Sequence, residues 1–176
     1  MSTSAPIKGF LNPVVHTTDA PMFSVVGTRL QFVSTPEQNG SNISVMRAGL
    51  PARAVVPIHS HAEPEIFYVI EGTMEVYQND CTSSGWQTAG PGDVVTIAGG
   101  VRHALRNPTS DRVTTVLVSE ERLQRFFQEL ADPLEPATFP PAPTPEVMQR
   151  LLEVSASYQY WIGSAADNAM IGIDLA

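Results

Sequence analysis

Between residues 23 and 119 the chain offers a series of short apolar runs and no helical period, and that rhythm restricts its fold more than any other feature. The runs fall at 23–33 (FSVVGTRLQFV), 42–49, 53–58, 65–71 (EIFYVIE), 73–79, 93–98, 102–106 and 112–119. They are rich in Val, Ile, Thr and aromatic residues, whose branched or flat side chains suit a pleated, half-buried surface. Turn signals separate them: QNGS, EG, SSG, GPGD and NPTSD. Strands at this spacing predict an all-β sandwich or barrel, since a parallel sheet would need helices between them.

The pattern changes after Ser119. EERLQRFFQELAD sets Leu123, Phe126, Phe127 and Leu130 at i, i+3, i+4 and i+7, which predicts an amphipathic helix with one face on the sheet. Glu120 and Glu121 stand at its N-terminus, where the helix dipole favours negative charge. PLEPATFPPAPTP is too proline-rich for a helix and reads as an extended strap. A second helix is expected in PEVMQRLLEVSASY, with Pro145 in its first turn. The aromatic C-terminal segment is expected to fold back over the barrel. The chain thus divides into an N-terminal arm and barrel (1–119) and a helical extension with the strap (120–176). No internal repeat is visible, which argues for one barrel.

Charge and cysteine usage narrow the function. A net charge of −8 argues against a nucleic-acid or anionic-membrane partner. Cys81 is the one cysteine, so the chain can form neither an internal disulfide nor a cysteine zinc site. No apolar stretch is long enough to span a bilayer, and the first residues lack the apolar core of a signal peptide. A cytoplasmic location is the expectation.

The chemistry concentrates in VPIHSHAEPEIFYVIEG, residues 56–72. His59 and His61 stand at i and i+2, so on a strand both rings point to one face with α-carbons about 7 Å apart. Two imidazoles so placed can converge on one cation through bonds of about 2.1 Å. Pro64 interrupts the strand, Glu65 begins the next one, and Glu71–Gly72 turns it into a hairpin. Further on, His103 follows a glycine-rich turn and shares a face with Leu105 and Asn107.

Together the two segments resemble the paired motifs of the cupin superfamily. His59, His61, Glu65 and Gly72 fit the first motif, G-x5-H-x-H-x3,4-E-x6-G. Gly92, Gly100, His103 and Asn107 fit the second, G-x5-P-x-G-x2-H-x3-N. Arg53 stands at the first motif's opening glycine and Ala98 at the second motif's proline, two departures at backbone-shaping positions. The resemblance implies a double-stranded β-helix, or jelly-roll barrel, with a C-terminal α-helical extension. It also implies that His59, His61, Glu65 and His103 bind one divalent transition metal ion: Fe, Mn, Ni, Co, Cu or Zn. Glu65 would be catalytic as well, accepting a proton from a bound substrate. The extension is loosely similar to that of quercetinase-like monocupins. The activity implied is a metal-dependent dioxygenase acting on an aromatic or enol-type small molecule, flavonols among them. Two alternatives stand beside it: a non-redox isomerase, lyase or decarboxylase, and a non-catalytic small-molecule-binding cupin. Related small cupins imply a homodimer.

Other residues carry plainer expectations. Glu63 lies on the intervening face before a proline and is expected to be exposed. His16 is expected at the surface, and Phe67, Val69, Val95, Ile97 and Leu105 in the core. Tyr68 and Trp86 are expected to pack on the outer face. For Tyr158, Tyr160 and Trp161 two roles stay open: closing the barrel mouth or forming a subunit contact.

Overall fold

The structure, a computed structural model, describes residues 14–79, 85–136 and 138–175. Most of the N-terminal arm and Cys81 lie outside the described residues. Two antiparallel sheets face each other across one core. The larger contains β1 (Met22–Val25), β2 (Thr28–Ser34), β3 (Ile43–Leu50), β5 (Glu65–Glu71), β8 (Val94–Ile97), β10 (Val113–Glu120) and β11 (Ala131–Leu134). The smaller contains β4 (Val55–Ser60), β6 (Met74–Gln78), β7 (Gln87–Ala89), β9 (His103–Arg106) and β12 (Trp161–Ile162). Their strand orders are β11-β1-β2-β3-β10-β5-β8 and β12-β4-β9-β6-β7. Among the described residues there are four helices: α1 (Pro36–Asn39), α2 (Glu121–Leu130), α3 (Pro145–Ser157) and α4 (Ala165–Met170).

The strands follow the apolar runs, with instructive exceptions. The run 23–33 is two strands, because Val26 (φ 48°) and Gly27 (φ 80°) both take the left-handed backbone that tight hairpins require. Strand β7 is short and polar (QTA), so nothing in its composition announced it; it forms by pairing with β6. Strand β5 shows how register makes an interior. Glu65, Phe67 and Val69 are buried while Ile66, Tyr68 and Ile70 lie outside, although all the residues between the two glutamates are hydrophobic. Alternation puts the Glu65 carboxylate on the core face, in line with Phe67 and Val69.

The expected core residues Phe67, Val69, Val95, Ile97 and Leu105 are all buried, packed with Met46, Met74 and Val113. Helix α2 buries Leu123, Phe126 and Leu130, and Phe127 is half-buried. Its fully buried Gln124 accepts a hydrogen bond from Ser44 Oγ at 2.5 Å.

The C-terminal residues enter both sheets. Strand β11 pairs with β1, so the start of the strap is a strand. Thr144 caps α3 ahead of Pro145. Strand β12 adds to the edge of β4, with Ile162 opposite His59 and Trp161 opposite Ser60. Gly163 N then donates to Ile58 O at 2.8 Å, and Asn168 Oδ1 accepts from Ile58 N at 2.9 Å. Backbone hydrogen bonds therefore tie the extension to the strand that carries His59. No helix among the described residues is long and apolar enough to cross a membrane.

Candidate metal centre

The smaller sheet supplies the histidines and the larger sheet the carboxylate. His59 on β4 stands directly opposite His103 on β9, with ring centroids 4.2 Å apart. A register shift in β4 between Val56 and His59 adjusts which residues face inward. His61 follows the end of β4, in the loop that Pro64 closes, and Glu65 opens β5 across the barrel. Glu65 Oε2 lies 3.0 Å from His103 Nε2 and 3.5 Å from His61 Nε2. All four residues place a donor atom within 4.8 Å of one another.

Hydrogen bonding fixes the tautomers. The Nδ1 atoms of His59, His61 and His103 lie 2.8, 2.9 and 2.8 Å from the carbonyls of Pro57, Glu63 and Val101. A carbonyl can only accept, so each Nδ1 carries a proton, and a ring in its neutral form then turns a bare Nε2 inward. His61 Nε2, His103 Nε2 and Glu65 Oε2 are buried and satisfy no hydrogen bond. Lone pairs converging without a donor among them call for a cation. Donors about 2.1 Å from a shared centre stand about 3.0–4.2 Å apart, so the shorter separations already fit and a separation of 4.8 Å needs a contraction of about 0.6 Å. The His/Glu cluster fits a metal ion.

Electrostatics agree with that reading. Burial, helped by the rings of His103 and His61, pushes His59 down to about 3, which leaves a neutral imidazole at ordinary pH. Burial would raise Glu65, but the adjoining His103 and His61 rings outweigh it and hold the carboxyl below its usual range. For His61 burial opposes the proton, yet Glu65 and Glu63 raise its affinity overall. A proton and a cation therefore compete for the same place.

Backbone geometry at and beside the motif positions explains how the ligands are held. Gly99 lies against the His61 loop so closely that a Cβ would stand 2.0 Å from Ala62 O, and Gly100 N donates to His61 O at 2.7 Å. Arg53 has φ 61°, the conformation that suits the glycine otherwise expected there, and its guanidinium bonds Pro108 O. Asn107 ties the turn after β9, donating to Pro51 O (2.9 Å) and Asp111 O (2.6 Å) and accepting from Thr109 N (2.9 Å).

One expectation fails. Glu63 is 3% exposed, because Arg122 on α2 reaches over and donates from Nη1 to its Oε1 at 2.7 Å. Burial raises the Glu63 carboxyl, but Arg122 and then Tyr160 outweigh it and hold it below the usual range. Tyr160 is also buried, its ring 5.3 Å from His61 and 4.8 Å from Phe126. Its phenol is pushed up by burial and then by the Glu63 carboxylate. Arg122 lies over the rings of Tyr158 and Tyr160 at 5.3 and 5.1 Å. Of the two roles left open, Tyr160 closes the barrel beside His61. No local signal could have shown this, since Glu63, Arg122 and Tyr160 lie on three stretches distant along the chain. His16 is exposed as expected, Tyr68 lies on the outer face, and Trp86 donates from its indole nitrogen to Ile171 O at 2.8 Å.

Residues 46–119 match the family model described as a cupin domain. That stretch carries the cupin-domain pattern, and the barrel and the inward His/Glu cluster fit it. A protein described as a predicted oxalate decarboxylase from Thermotoga maritima is similar at TM-score 0.54 and 19% identity, over 61% of this chain and 97% of that one. An RmlC-like cupin from Shewanella frigidimarina gives 0.52 and 14%, over 62% of this chain and 91% of that one. Oxalate decarboxylase from Bacillus subtilis, described elsewhere with Mn(II) centres, gives 0.52 and 22%, over 66% of this chain and 30% of that one. At these identities the likeness is one of fold. Comparison with curated proteins gives no match.

Proposed function

We propose that this chain is a metal-dependent enzyme for a small organic substrate, and that its reaction is dioxygenation of an enol-type or aromatic molecule. The observation that carries the reading is the buried Glu65 carboxylate, ionised among three imidazoles whose Nδ1 protons are committed to backbone carbonyls. A divalent ion held by His59, His61, Glu65 and His103 would supply Lewis acidity and, for a redox-active metal, access to dioxygen. Glu65 is the one group of the four that can take a substrate hydroxyl proton, because neutral rings turned inward by fixed tautomers are committed as donors of lone pairs. His59 is the least enclosed of the four, so substrate approaches from its side, while Tyr160 covers His61. A cytoplasmic homodimer belongs to the same proposal, the exposed outer residues Ile66, Tyr68, Ile70 and Val94 being its candidate contact.

The second reading is non-redox chemistry at the same centre, in the first place decarboxylation; oxalate decarboxylase is the description of two neighbours in fold. One experiment separates them. Protein loaded in turn with Fe, Mn, Ni, Co, Cu and Zn is tested for oxygen uptake with flavonols and enediols, and for carbon dioxide release from oxalate without oxygen. Oxygen uptake that disappears in Glu65→Gln supports the dioxygenase. Turnover with zinc and without oxygen selects the second reading, and tight ligand binding without either leaves a binding protein.

A further inference from the structure

Three of the chain's ten basic residues, in a protein with eighteen acidic ones, line a single cavity of about 150 Å3. Arg29, Arg47 and Arg112 form its walls, with Gln31 and Thr114, and no carboxylate is among the lining residues. The cavity lies on the outer face of the larger sheet. Arg47 alternates with the buried Met46 on β3, so it points away from the barrel interior and the histidines.

Strand register builds the site. Across β2, β3 and β10 one row reads Arg29, Gly49, Thr114 and the next reads Gln31, Arg47, Val116. Gly49 leaves bare backbone between the charged side chains; a Cβ there would stand 3.5 Å from both Arg29 Cβ and Val113 O. Arg112 arrives two residues before Thr114. The strap roofs the cavity with Pro136 and Phe139, and Arg29 Nη2 donates to Pro136 O at 2.6 Å.

The charges are not balanced from within. Arg112 meets Glu71 at 3.3 Å, in a pair whose side chains are each 55% exposed, which is worth little. No hydrogen bond or ion pair with a described residue engages the Arg47 guanidinium. Arg29 is held below the usual arginine range, first by burial and then by repulsion from Arg112 and Arg47. Guanidinium groups converging on one space, with donors in fixed forks, match a planar or tetrahedral oxyanion. A cavity of about 150 Å3 suits a ligand of few heavy atoms.

We propose that this cavity binds a small oxyanion, a phosphate or a short carboxylate, at a site separate from the metal centre. Inorganic phosphate and malonate are each titrated into the full-length protein by calorimetry, with ionic strength held constant by chloride. The protein is used both metal-loaded and metal-depleted. The expected result is saturable binding of at least one probe in both forms, weakened tenfold or more in Arg47→Met and unchanged in Arg150→Met. Arg112→Gln, a change at an exposed side chain, gives a second reading should Arg47→Met fail to fold. Phosphate binding without malonate binding identifies a phosphate site, and the reverse a carboxylate site. Four results would overturn the proposal: no saturable binding of either probe, equal binding in every variant, binding that vanishes with the metal, or self-association that Arg47→Met abolishes, which would put a carboxylate of a second copy in the cavity.

Discussion

His103 and His61 belong to one cluster but are held by different parts of the molecule. His103 sits on β9 in the middle of the smaller sheet, with β4 on one side and β6 on the other. Its position follows from barrel pairing alone. His61 lies beyond the end of its strand, in a loop that Gly99 and Gly100 contact from one direction. From the other direction Tyr160 lies tilted against its ring, and Arg122 binds the neighbouring Glu63. Half of the centre is intrinsic to the barrel; the other half depends on helix α2 and the C-terminal segment. The extension is therefore part of the site's support as well as of the core.

The largest expected effect comes from the barrel-held side. His103→Ala removes a donor and opens a void at a position 1% exposed, so metal content by elemental analysis should fall to background. Unchanged metal content would show that the cluster is not the centre. Next comes the loop that carries His61. Gly99→Ala must displace Ala62 O, and chelator competition should show metal affinity weakened about 10- to 100-fold while the barrel remains folded.

Arg122→Ala tests the extension. It leaves the Glu63 carboxylate buried without its partner and should cost about 1–3 kcal/mol in urea unfolding, discounted because the Arg122 side chain is 45% exposed. The comparison sharpens if the histidine ring signals in NMR shift for His61 and stay in place for His103. Equal movement of both would dissolve the distinction between the two halves.

The smallest effect lies at the outer end of the same network. Tyr158 donates to Glu129 at 2.6 Å, and burial followed by Glu129 pushes its phenol up to about 12. A raised folded pKa means that the protonated form is held more tightly in the native state. That stabilisation is complete below the ordinary tyrosine value near pH 10 and is lost as pH rises toward 12. Tyr158→Phe should therefore show less alkaline loss of stability than the parent, by thermal unfolding between pH 9 and 12. A parallel decline in both proteins would remove Tyr158 from the network's energetics.

The barrel was legible because its determinants are local. Strands of period two, turns at glycine and proline, and the spacing from His59 to Glu65 and on to His103 all read along one dimension. Two of the errors share a cause. Val26–Gly27 looked like strand because valine normally prefers extended backbone, and only pairing of Val25 with Thr28 makes it a turn. Glu63 looked exposed because a carboxylate before proline has no local reason to be buried. Its reason is a guanidinium 59 residues away.

Sequence alone thus determined the all-β architecture, the amphipathic α2 and the four residues of the candidate centre, since side-chain alternation and motif spacing are properties of the chain itself. Tertiary structure decided what surrounds them: Tyr160 over His61, Arg122 against Glu63, and three arginines converging outside the sheet. Those placements depend on which strands become neighbours, and a contact between residues distant along the chain leaves no periodicity in either segment.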